Sequence, residues 1–392
     1  MERKKVLIVF TGSMDLGGVE SSLLGLLDAL DYEKYDIDLF LYGHHGVLFS
    51  LINSKVNLLP EIKELAYLRE GFGEKIQNGC YYSAMLRLVD EVKSRFFKKE
   101  IDNDKTWSKI TKKFVAELEK EYDLALSFFL PFNLIEEKVK AKVKIGWIHT
   151  DYKSEKSNKE WLFKQYQKVD YIAAVSEQCK NSFTNIFPQF INKTMVVENI
   201  LSNKLIKEKA LEFDATLEMD QQSISLLSIG RFCYAKNFDN IPFICKELRK
   251  LGLNVKWYLI GFGADEKLIL QKIKETNMQE YVIVLGKREN PYPYIKTCNF
   301  YIQPSRYEGK SVAVREAQVL CKPVIITNYE TSSSQLKDGY DGVVVSMDNK
   351  ECAKGIANVI KDKQLQEILL ENMKKSDYTN LEEVKKLYEL IE

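Results

Sequence analysis

Residues 305–326 hold the side chains best placed by type and spacing to do chemistry. An apolar, aromatic run, Phe300, Tyr301 and Ile302, reaches Pro304, and a short loop then carries Glu308, Gly309, Lys310 and Ser311. A helical stretch over about 312–320 follows and leads into an apolar strand at 324–326. The loop therefore feeds a helix N-terminus. Unpaired N–H groups at such an end, with the helix dipole behind them, attract phosphate or another anion, which makes the amides of Lys310, Ser311 and Val312 candidate donors. Gly309 would let a ligand approach the backbone closely. Glu308 in the loop and Glu316 about one turn into the helix could face one crevice and accept hydrogen bonds from sugar hydroxyls. Phosphate on amides and hydroxyls on carboxylates is the requirement of a nucleotide sugar.

Upstream, Arg231 and Lys236 follow Ser228-Ile229-Gly230, just past a strand end. Cations there could neutralise a diphosphate as a bond to it breaks, or could be ordinary surface charges. The series Leu259-Ile260-Gly261-Phe262-Gly263 and Leu285-Gly286-Lys287-Arg288 each end a further apolar run. In the first half, Gly17 and Gly18 stand between the apolar run 6–10 and the helical period Val19, Leu23, Leu26, Leu27, Leu30. These glycines do not spell the dinucleotide fingerprint, and either ease a tight turn or let a ligand approach the backbone. His149, in Trp147-Ile148-His149-Thr150-Asp151, lies just past a strand's carboxyl end, where α/β enzymes hold ligands, and has a structural and a catalytic reading.

Taken together, Glu308 and Glu316 with Ser228-Ile229-Gly230-Arg231, Lys236, the Gly261 and Gly286 turns and their order resemble the retaining glycosyltransferases of family four, which have the GT-B fold. The resemblance covers residues 220–346 well and the first half more thinly, through Gly17-Gly18-Val19-Glu20 and Trp147-Ile148-His149. It implies an α/β protein of two Rossmann-like domains facing each other across a cleft: an acceptor-binding domain, 1–202, completed by a C-terminal helix crossing back over 377–392, and a nucleotide-sugar-binding domain, 203–376. It implies catalytic roles for His149, Arg231, Lys236 and Glu308. Donor contacts would come from Gly17, Gly18, Arg231, Lys236, Gly261, Lys287, Glu308, Gly309, Lys310, Ser311, Val312 and Glu316, with the base near Lys287, the ribose on Glu316 and the sugar on Glu308. The chain departs from the family pattern at Asn237, where the lysine usually has a glycine beside it, and at Lys310 and Ser311, where an aromatic residue and a glycine are common. The activity implied is retaining transfer of a hexose from a nucleotide sugar, UDP-linked by expectation, to a carbohydrate acceptor. The nearest resemblance is to bacterial capsule and exopolysaccharide enzymes, whose acceptors are sugars on a lipid diphosphate. No carboxylate stands out as a nucleophile, so attack from the face of the departing phosphate is expected, with no metal and no cofactor besides the donor. An epimerase on the same fold and a catalytically silent nucleotide-sugar-binding partner of another transferase are the alternatives.

Bulk composition bounds these readings. A length of 392 residues suits two domains. The 57 basic and 56 acidic residues nearly cancel, which gives no reason to expect a nucleic-acid partner. Seven scattered cysteines with no Cys-x-x-Cys pair suit a reducing cytosol rather than disulfides or zinc. The basic start Arg3-Lys4-Lys5 precedes an apolar run too short for a signal peptide, so 6–10 is read as a first strand. No stretch approaches the roughly eighteen apolar residues of a membrane span. The expected location is the cytoplasm, with peripheral contact at the inner face of the membrane through 81–114. There Tyr81, Tyr82, Met85, Phe96, Phe97, Trp107 and Phe114 interleave with cations, although two ordinary amphipathic helices with a solvated charged face would read the same way. Asp36-Ile-Asp38 and Asp102-Asn-Asp104 imitate a metal motif but are expected to face solvent, and His44-His45 is expected to be solvated loop.

Strands are expected at 6–10, 37–42, 124–128, 143–148, 171–175 and 194–197, each an apolar run of central-strand type. Residues 58–120 read as mostly helical. Ser176 reads as a helix cap, the polar stretch 201–222 as an inter-domain linker, and Asn380 with Glu383 as a capped helix start.

Overall fold

The computed structural model describes residues 3–15, 17–97, 103–149, 152, 158–308 and 310–392. Gly309, Thr150, Asp151 and Asp102, singled out above, lie outside the described residues. The chain divides into two compact units, Met1–Ile200 with Asn380–Glu392, and Leu201–Thr379.

In the first unit the order is β1 (Lys4–Phe10), α1 (Gly18–Ala29), β2 (Tyr35–Leu41), β3 (Asn57–Leu58), α2 (Lys63–Ala66), α3 (Phe72–Gln77), α4 (Tyr81–Phe97), α5 (Asn103–Phe114) and β4 (Leu118–Ser127). There follow α6 (Asn133–Glu137), β5 (Val139–Ile148), α7 (Lys159–Gln167), β6 (Tyr171–Ala174), α8 (Glu177–Ile186) and β7 (Thr194–Val196). The strands form one parallel sheet, β3-β2-β1-β4-β5-β6-β7, with Val6 beside both Ile37 and Leu124. Strands buried on both faces need unbroken apolar runs, and Leu7, Ile8 and Val9 are fully buried. Loops after β1 and β4 leave a sheet whose order reverses between those strands, the usual place for a ligand crevice. Ser176 caps α8, its hydroxyl accepting from the Cys179 amide at 3.1 Å, as the sequence suggested.

The C-terminal segment packs on this unit. Its expected helix is a 3-10 turn, Leu381–Val384, followed by one α-turn, α17 (Lys385–Tyr388). The Tyr388 ring stacks on Tyr35 at 4.4 Å and its hydroxyl accepts from the Asp31 amide at 2.8 Å. Asn380 does not cap the segment with its side chain: it sits in the left-handed region (φ 59°) and its Nδ2 donates to Glu198 at 2.8 Å. Glu383 likewise accepts from the Glu198 amide at 2.8 Å, so both residues of the expected capping box clamp the end of the first-unit chain.

The second unit starts earlier than expected. Residues 201–222 are not a linker: α9 (Asn203–Lys209) and its continuation bury Leu201, Leu205, Ile206, Ala210, Ala215 and Met219, most of them in a core shared with Leu227, Tyr258 and Tyr301. Scattered among charges, these side chains present no strand-like run, yet they sum to a docking face. Then come β8 (Ile224–Ile229), α10 (Ile241–Lys250), β9 (Val255–Ile260), α11 (Glu266–Thr276), β10 (Val282–Gly286), α12 (Tyr292–Thr297) and β11 (Phe300–Gln303). The unit ends with α13 (Val312–Val319), β12 (Val324–Thr327), α14 (Ser332–Gln335), β13 (Val343–Val345), α15 (Asn349–Lys361) and α16 (Lys363–Lys375). Its parallel sheet runs β10-β9-β8-β11-β12-β13, again reversing at the first strand. All seven cysteines are free and five of them buried. Among the described residues no helix is long and apolar enough to cross a membrane.

The Asp36-Ile-Asp38 reading is corrected on one side. Asp36 pairs with Arg3 at 2.9 Å near the surface, but Asp38 is 2% exposed and accepts from Tyr122 Oη at 2.7 Å, Lys120 Nζ at 2.8 Å and Asn57 Nδ2 at 2.9 Å. β2 is flanked on both sides, so its polar alternate position is covered by neighbours and must be satisfied there. Replacing Asp38 by Ala leaves the buried Tyr122 hydroxyl without its acceptor. Asp38→Ala is expected to cost about 2 kcal/mol of stability, and Asp38→Asn, which keeps an acceptor, about half of that, measured by denaturant unfolding followed at each unit's transition.

Candidate active site

The sequence-predicted residues of the second unit gather at the carboxyl ends of four adjacent strands. Arg231 and Lys236 follow β8, Gly261 follows β9, Lys287 follows β10, and Glu308 with 310–312 follow β11. The order reverses between β8 and β11, and their two loops are tied together there. The Lys236 ammonium lies 2.5 Å from Glu308 Oε1, in a pair whose side chains are 19% and 10% exposed. Arg306 makes a two-pronged pair with Asp239 at 2.9 and 2.7 Å, donates to Tyr234 O at 2.7 Å and lies over the Tyr234 ring at 4.2 Å. The Arg306 amide reaches Ala235 O at 2.8 Å.

Asn237 explains its own departure from the family pattern. Its φ of 61° is left-handed, a region open to glycine and, at lower cost than to most residues, to asparagine. Its buried side chain donates to Pro304 O at 2.8 Å, adding a further tie between the loops.

Glu308 ends a buried polar chain. Tyr301 Oη donates to Gln303 Oε1 at 2.8 Å, and Gln303 Nε2 to Ser305 Oγ at 2.9 Å and to Glu308 Oε1 at 3.1 Å; Ser305 Oγ donates to the same carboxylate oxygen at 2.7 Å. Three donors therefore converge on Oε1, and no hydrogen bond from the described residues reaches Oε2. Glu316, one turn into α13, is buried and accepts from Tyr292 Oη at 2.9 Å; burial pushes its carboxyl above the ordinary range, with the Tyr292 bond and Arg315 pulling it back. Burial raises the Tyr301 phenol, and the charges of both Glu316 and Glu308 add to that rise, so the two carboxylates act on one region.

The N-terminus of α13 is less open than the sequence suggested. Gln335 Oε1 accepts from the Ser311 amide at 2.5 Å, and Thr331 Oγ1 donates to Glu308 O at 2.7 Å. The Ser311 amide is thus taken by α14 rather than left for a ligand. The Gln335 signal was absent from the sequence, where 331–335 is a polar run of no periodicity.

The glycines serve distinct ends. Gly261 has φ 152°, and a Cβ there would meet Gly230 O at 1.9 Å; Gly263 has φ 156°, with Phe232 O at 2.3 Å. These are close backbone contacts between the β8 and β9 loops, which only glycine permits. The Lys236 stem packs on Gly230. Arg231 is exposed, and neither an ion pair nor a hydrogen bond to it is formed by the described residues. Lys287 is also exposed, its ammonium 5.6 Å from the centre of the Phe262 ring.

In the first unit Gly17 (φ −160°) is extended and Gly18 would meet nothing with a Cβ, so turn geometry demands glycine at neither. Glu20 folds back over Gly17, and burial pushes its carboxyl up while Arg69 pulls it down. The glycine that the packing of the β1 loop does require is Gly46, in the loop after β2: its φ is 107° and a Cβ there would run into the Met14 backbone. His44 and His45 part company: His45 is exposed, as expected, while His44 is half-buried and stacks on Phe49 at 5.6 Å.

His149 stands past β5 among Phe128, Trp147 and Phe129, at ring distances of 4.7, 6.3 and 6.1 Å. Its Nε2 is 2.9 Å from Phe128 O, and since a carbonyl only accepts, Nε2 carries the proton. Desolvation in this apolar setting pushes the ring's pKa from 6.5 to about 4, against the backbone bond. The ring is neutral at neutral pH and offers Nδ1 as an acceptor. Among the described residues no group of three His, Cys, Asp or Glu is placed to hold a metal ion.

Residues 211–376 match the family described as "Glycosyl transferases group 1". The chain is 27% identical over 210 residues to N-acetylgalactosamine-N,N'-diacetylbacillosaminyl-diphospho-undecaprenol 4-alpha-N-acetylgalactosaminyltransferase of Campylobacter jejuni, covering 53% of this chain and 55% of that protein. It is 27% identical over 188 residues to the amylovoran biosynthesis glycosyltransferase AmsD of Erwinia amylovora, covering 47% of this chain and 51% of that protein. The alignments thus span about half the length of these curated relatives. The crystal structure of Anabaena Alr3699/HepE in complex with UDP and glucose is similar in fold, with a TM-score of 0.64 at 14% identity over 99% of this chain and 98% of that one. Two parallel α/β sheets with Rossmann strand order and this likeness give the GT-B fold, and within it residues 211–376 are similar to the group 1 glycosyl transferases.

Proposed function

We propose that the chain is a retaining glycosyltransferase that moves a hexose from a nucleotide sugar, UDP-linked, to a carbohydrate acceptor carried on a lipid diphosphate, in capsule or exopolysaccharide assembly. The observation that carries this reading is the Lys236–Glu308 pair at the strand-order reversal of the second sheet, with exposed Arg231 one residue from the glycine on which Lys236 packs. Arg231 and Lys236 neutralise the donor diphosphate and stabilise the charge left on it as the sugar bond breaks. Glu308, fixed through Oε1, presents Oε2 to the hydroxyls of the donor sugar; Glu316 takes the ribose hydroxyls; the exposed Lys287 lies beside the base. The amides of Lys310 and Val312 meet phosphate, and that of Ser311 joins them only as Gln335 yields. Gly17, Gly18 and the undescribed Gly309 are positions of close backbone approach. His149, neutral, accepts a hydrogen bond from the donor sugar or the acceptor. Attack comes from the face of the departing phosphate, whose oxygen takes the acceptor proton. Charge stabilisation by the two cations and the amides needs no metal.

The acceptor class rests on kinship: the Campylobacter relative is named for a diphospho-undecaprenol substrate, and the Erwinia relative for amylovoran biosynthesis. In this reading the protein works at the cytoplasmic face of a membrane, which residues 81–114 contact.

A panel of UDP-, GDP- and ADP-sugars tests the donor assignment by thermal stabilisation. One UDP-sugar at a hundred times its dissociation constant should add about 2.7 kcal/mol. Arg231→Ala should weaken it at least about tenfold, the loss of one charge-assisted contact. No stabilisation by any nucleotide would end the transferase reading. Glu308→Gln should lower kcat by about a hundredfold or more while leaving nucleotide affinity within a few fold, measured with the sugar found in the panel. Asn237→Gly keeps the left-handed turn but loses the bond to Pro304 O and should weaken nucleotide binding a few fold, whereas Asn237→Ala loses the same bond, adds a left-handed backbone cost of about 1–2 kcal/mol and should bind more weakly still. His149 titrates at 6.5 in the unfolded chain and at about 4 in the folded one, so it subtracts stability as pH falls from 6.5 toward 4 and contributes nothing above. The melting temperature of His149→Gln should therefore fall less than that of the wild type over this window, and in parallel with it above pH 7.

A further inference from the structure

Helix α4 carries its apolar face outward. From Tyr81 to Val92 its exposed side chains are Tyr81 (65%), Met85 (50%), Leu88 (48%), Val89 (38%) and Val92 (45%), with no charged residue among them. Their spacing places them on one side of a helix. The opposite side is seated by small groups, Ser83 and Ala84, with Tyr82 and Leu86 against the core. Over 81–92 the charged side chains are engaged: Arg87 pairs with Glu91 at 3.2 Å on one flank, and Asp90, turned toward α5, accepts from Thr106 at 2.5 Å. Packed beside α4, helix α5 shows the complementary pattern. Its exposed side chains over 105–114 are Lys109, Lys112 and Lys113. Lys113 lies 3.6 Å from the centre of the Tyr82 ring, and Lys112 meets one acid, Glu137, at 3.2 Å. Residues 81–114 hold nine basic and five acidic side chains, a net +4 in a chain whose total is +1.

We propose that α4 and α5 form a docking face for an anionic lipid surface, with the α4 stripe entering the headgroup–acyl boundary and the α5 lysines meeting the negative headgroups. The inference refines the membrane contact named above but rests on geometry and charge remote from the nucleotide residues. An ordinary amphipathic surface helix buries its apolar stripe; over 81–92 α4 instead leaves the stripe in solvent beside its charges. A protein partner would satisfy the stripe alone, and the adjoining row of lysines selects the lipid surface.

The test is flotation of the full chain with vesicles of phosphatidylcholine alone or mixed with phosphatidylglycerol, in parallel with nucleotide binding and light scattering in solution. Wild-type protein should float with the mixed vesicles and remain behind with phosphatidylcholine alone. Leu88→Ser/Val92→Ser, changed only at exposed positions, should lose about tenfold in partitioning while binding nucleotide normally. Lys109→Glu/Lys112→Glu should lose the preference for phosphatidylglycerol. Equal binding to both vesicles, no binding to either, or a dimer that Leu88→Ser/Val92→Ser dissolves would overturn the proposal, the last by making a second copy the occupant. Failure of nucleotide binding with vesicle binding intact would count against the transferase reading alone.

Discussion

The second unit depends on how two loops, seventy residues apart in sequence, are fastened at the point where its strand order reverses. A parallel sheet that reverses direction sends neighbouring loops apart and leaves a crevice, and a crevice alone would leave their side chains free to wander. Here the Arg306–Asp239 pair, the Asn237 bond to Pro304 O and the Lys236–Glu308 pair bind the β8 loop to the β11 loop. The first two are structural, and they set the third. Lys236 and Glu308 then have defined positions without being consumed by them, since only one carboxylate oxygen is engaged. A site held this way needs little reorganisation when a charged ligand arrives, which is where electrostatic stabilisation is most effective.

Close backbone approach supplies the rest of the frame. Gly261 and Gly263 let the β9 loop lie against Gly230 and Phe232 at distances that no side chain allows. The β8 loop is thereby supported from one side by β9 and from the other by β11. Arg231 and Lys236, both on that loop, inherit a rigid base while Arg231 keeps its head in solvent. The first unit repeats the device with different parts: Gly46 meets Met14, and Thr11 Oγ1 donates to Leu130 O at 2.7 Å across its own reversal.

How much of this the sequence displays follows from the range of each interaction. Central strands such as 6–10 and 324–326 are legible because burial on both faces demands a continuous apolar run, a local property. The α13 start and the cations after Gly230 are legible for the same reason: strand, turn and helix lie within a few residues. Asp38 reads as solvent-facing from its neighbours alone because Lys120 and Tyr122, which make its burial tolerable, lie more than eighty positions away. The Ser311 amide reads as open to a ligand because Gln335, which occupies it, sits in a polar run with nothing to mark it. Residues 201–222 looked like a linker because six buried side chains among charges form no period, and only the partners in the second core reveal them. Asn380 and Glu383 had the right types for a capping box, yet Glu198, distant in sequence, outbid the local helix for both.

Helix α4 shows a related limit. Periodicity announces that a helix is two-faced, but it is silent on which face the protein covers, and apolar stripes are covered in most helices because burial of that surface is the main source of stability. On α4 the core contact is made instead by Ser83 and Ala84, small enough to bring the helix close, together with Tyr82 and Leu86. Leaving Met85, Leu88 and Val92 in water forgoes that stabilisation, at roughly 25 cal/mol per Å² of apolar area. A chain that stabilises both units through extensive buried cores has no need of the stripe for folding, so its apolar character is a cost in the free protein that only a covering surface recovers. The lysines of α5 limit what that surface can be. Charges held beside an apolar stripe resist burial in a dry protein interface and favour a boundary where one layer is hydrocarbon and the next is anionic and wet.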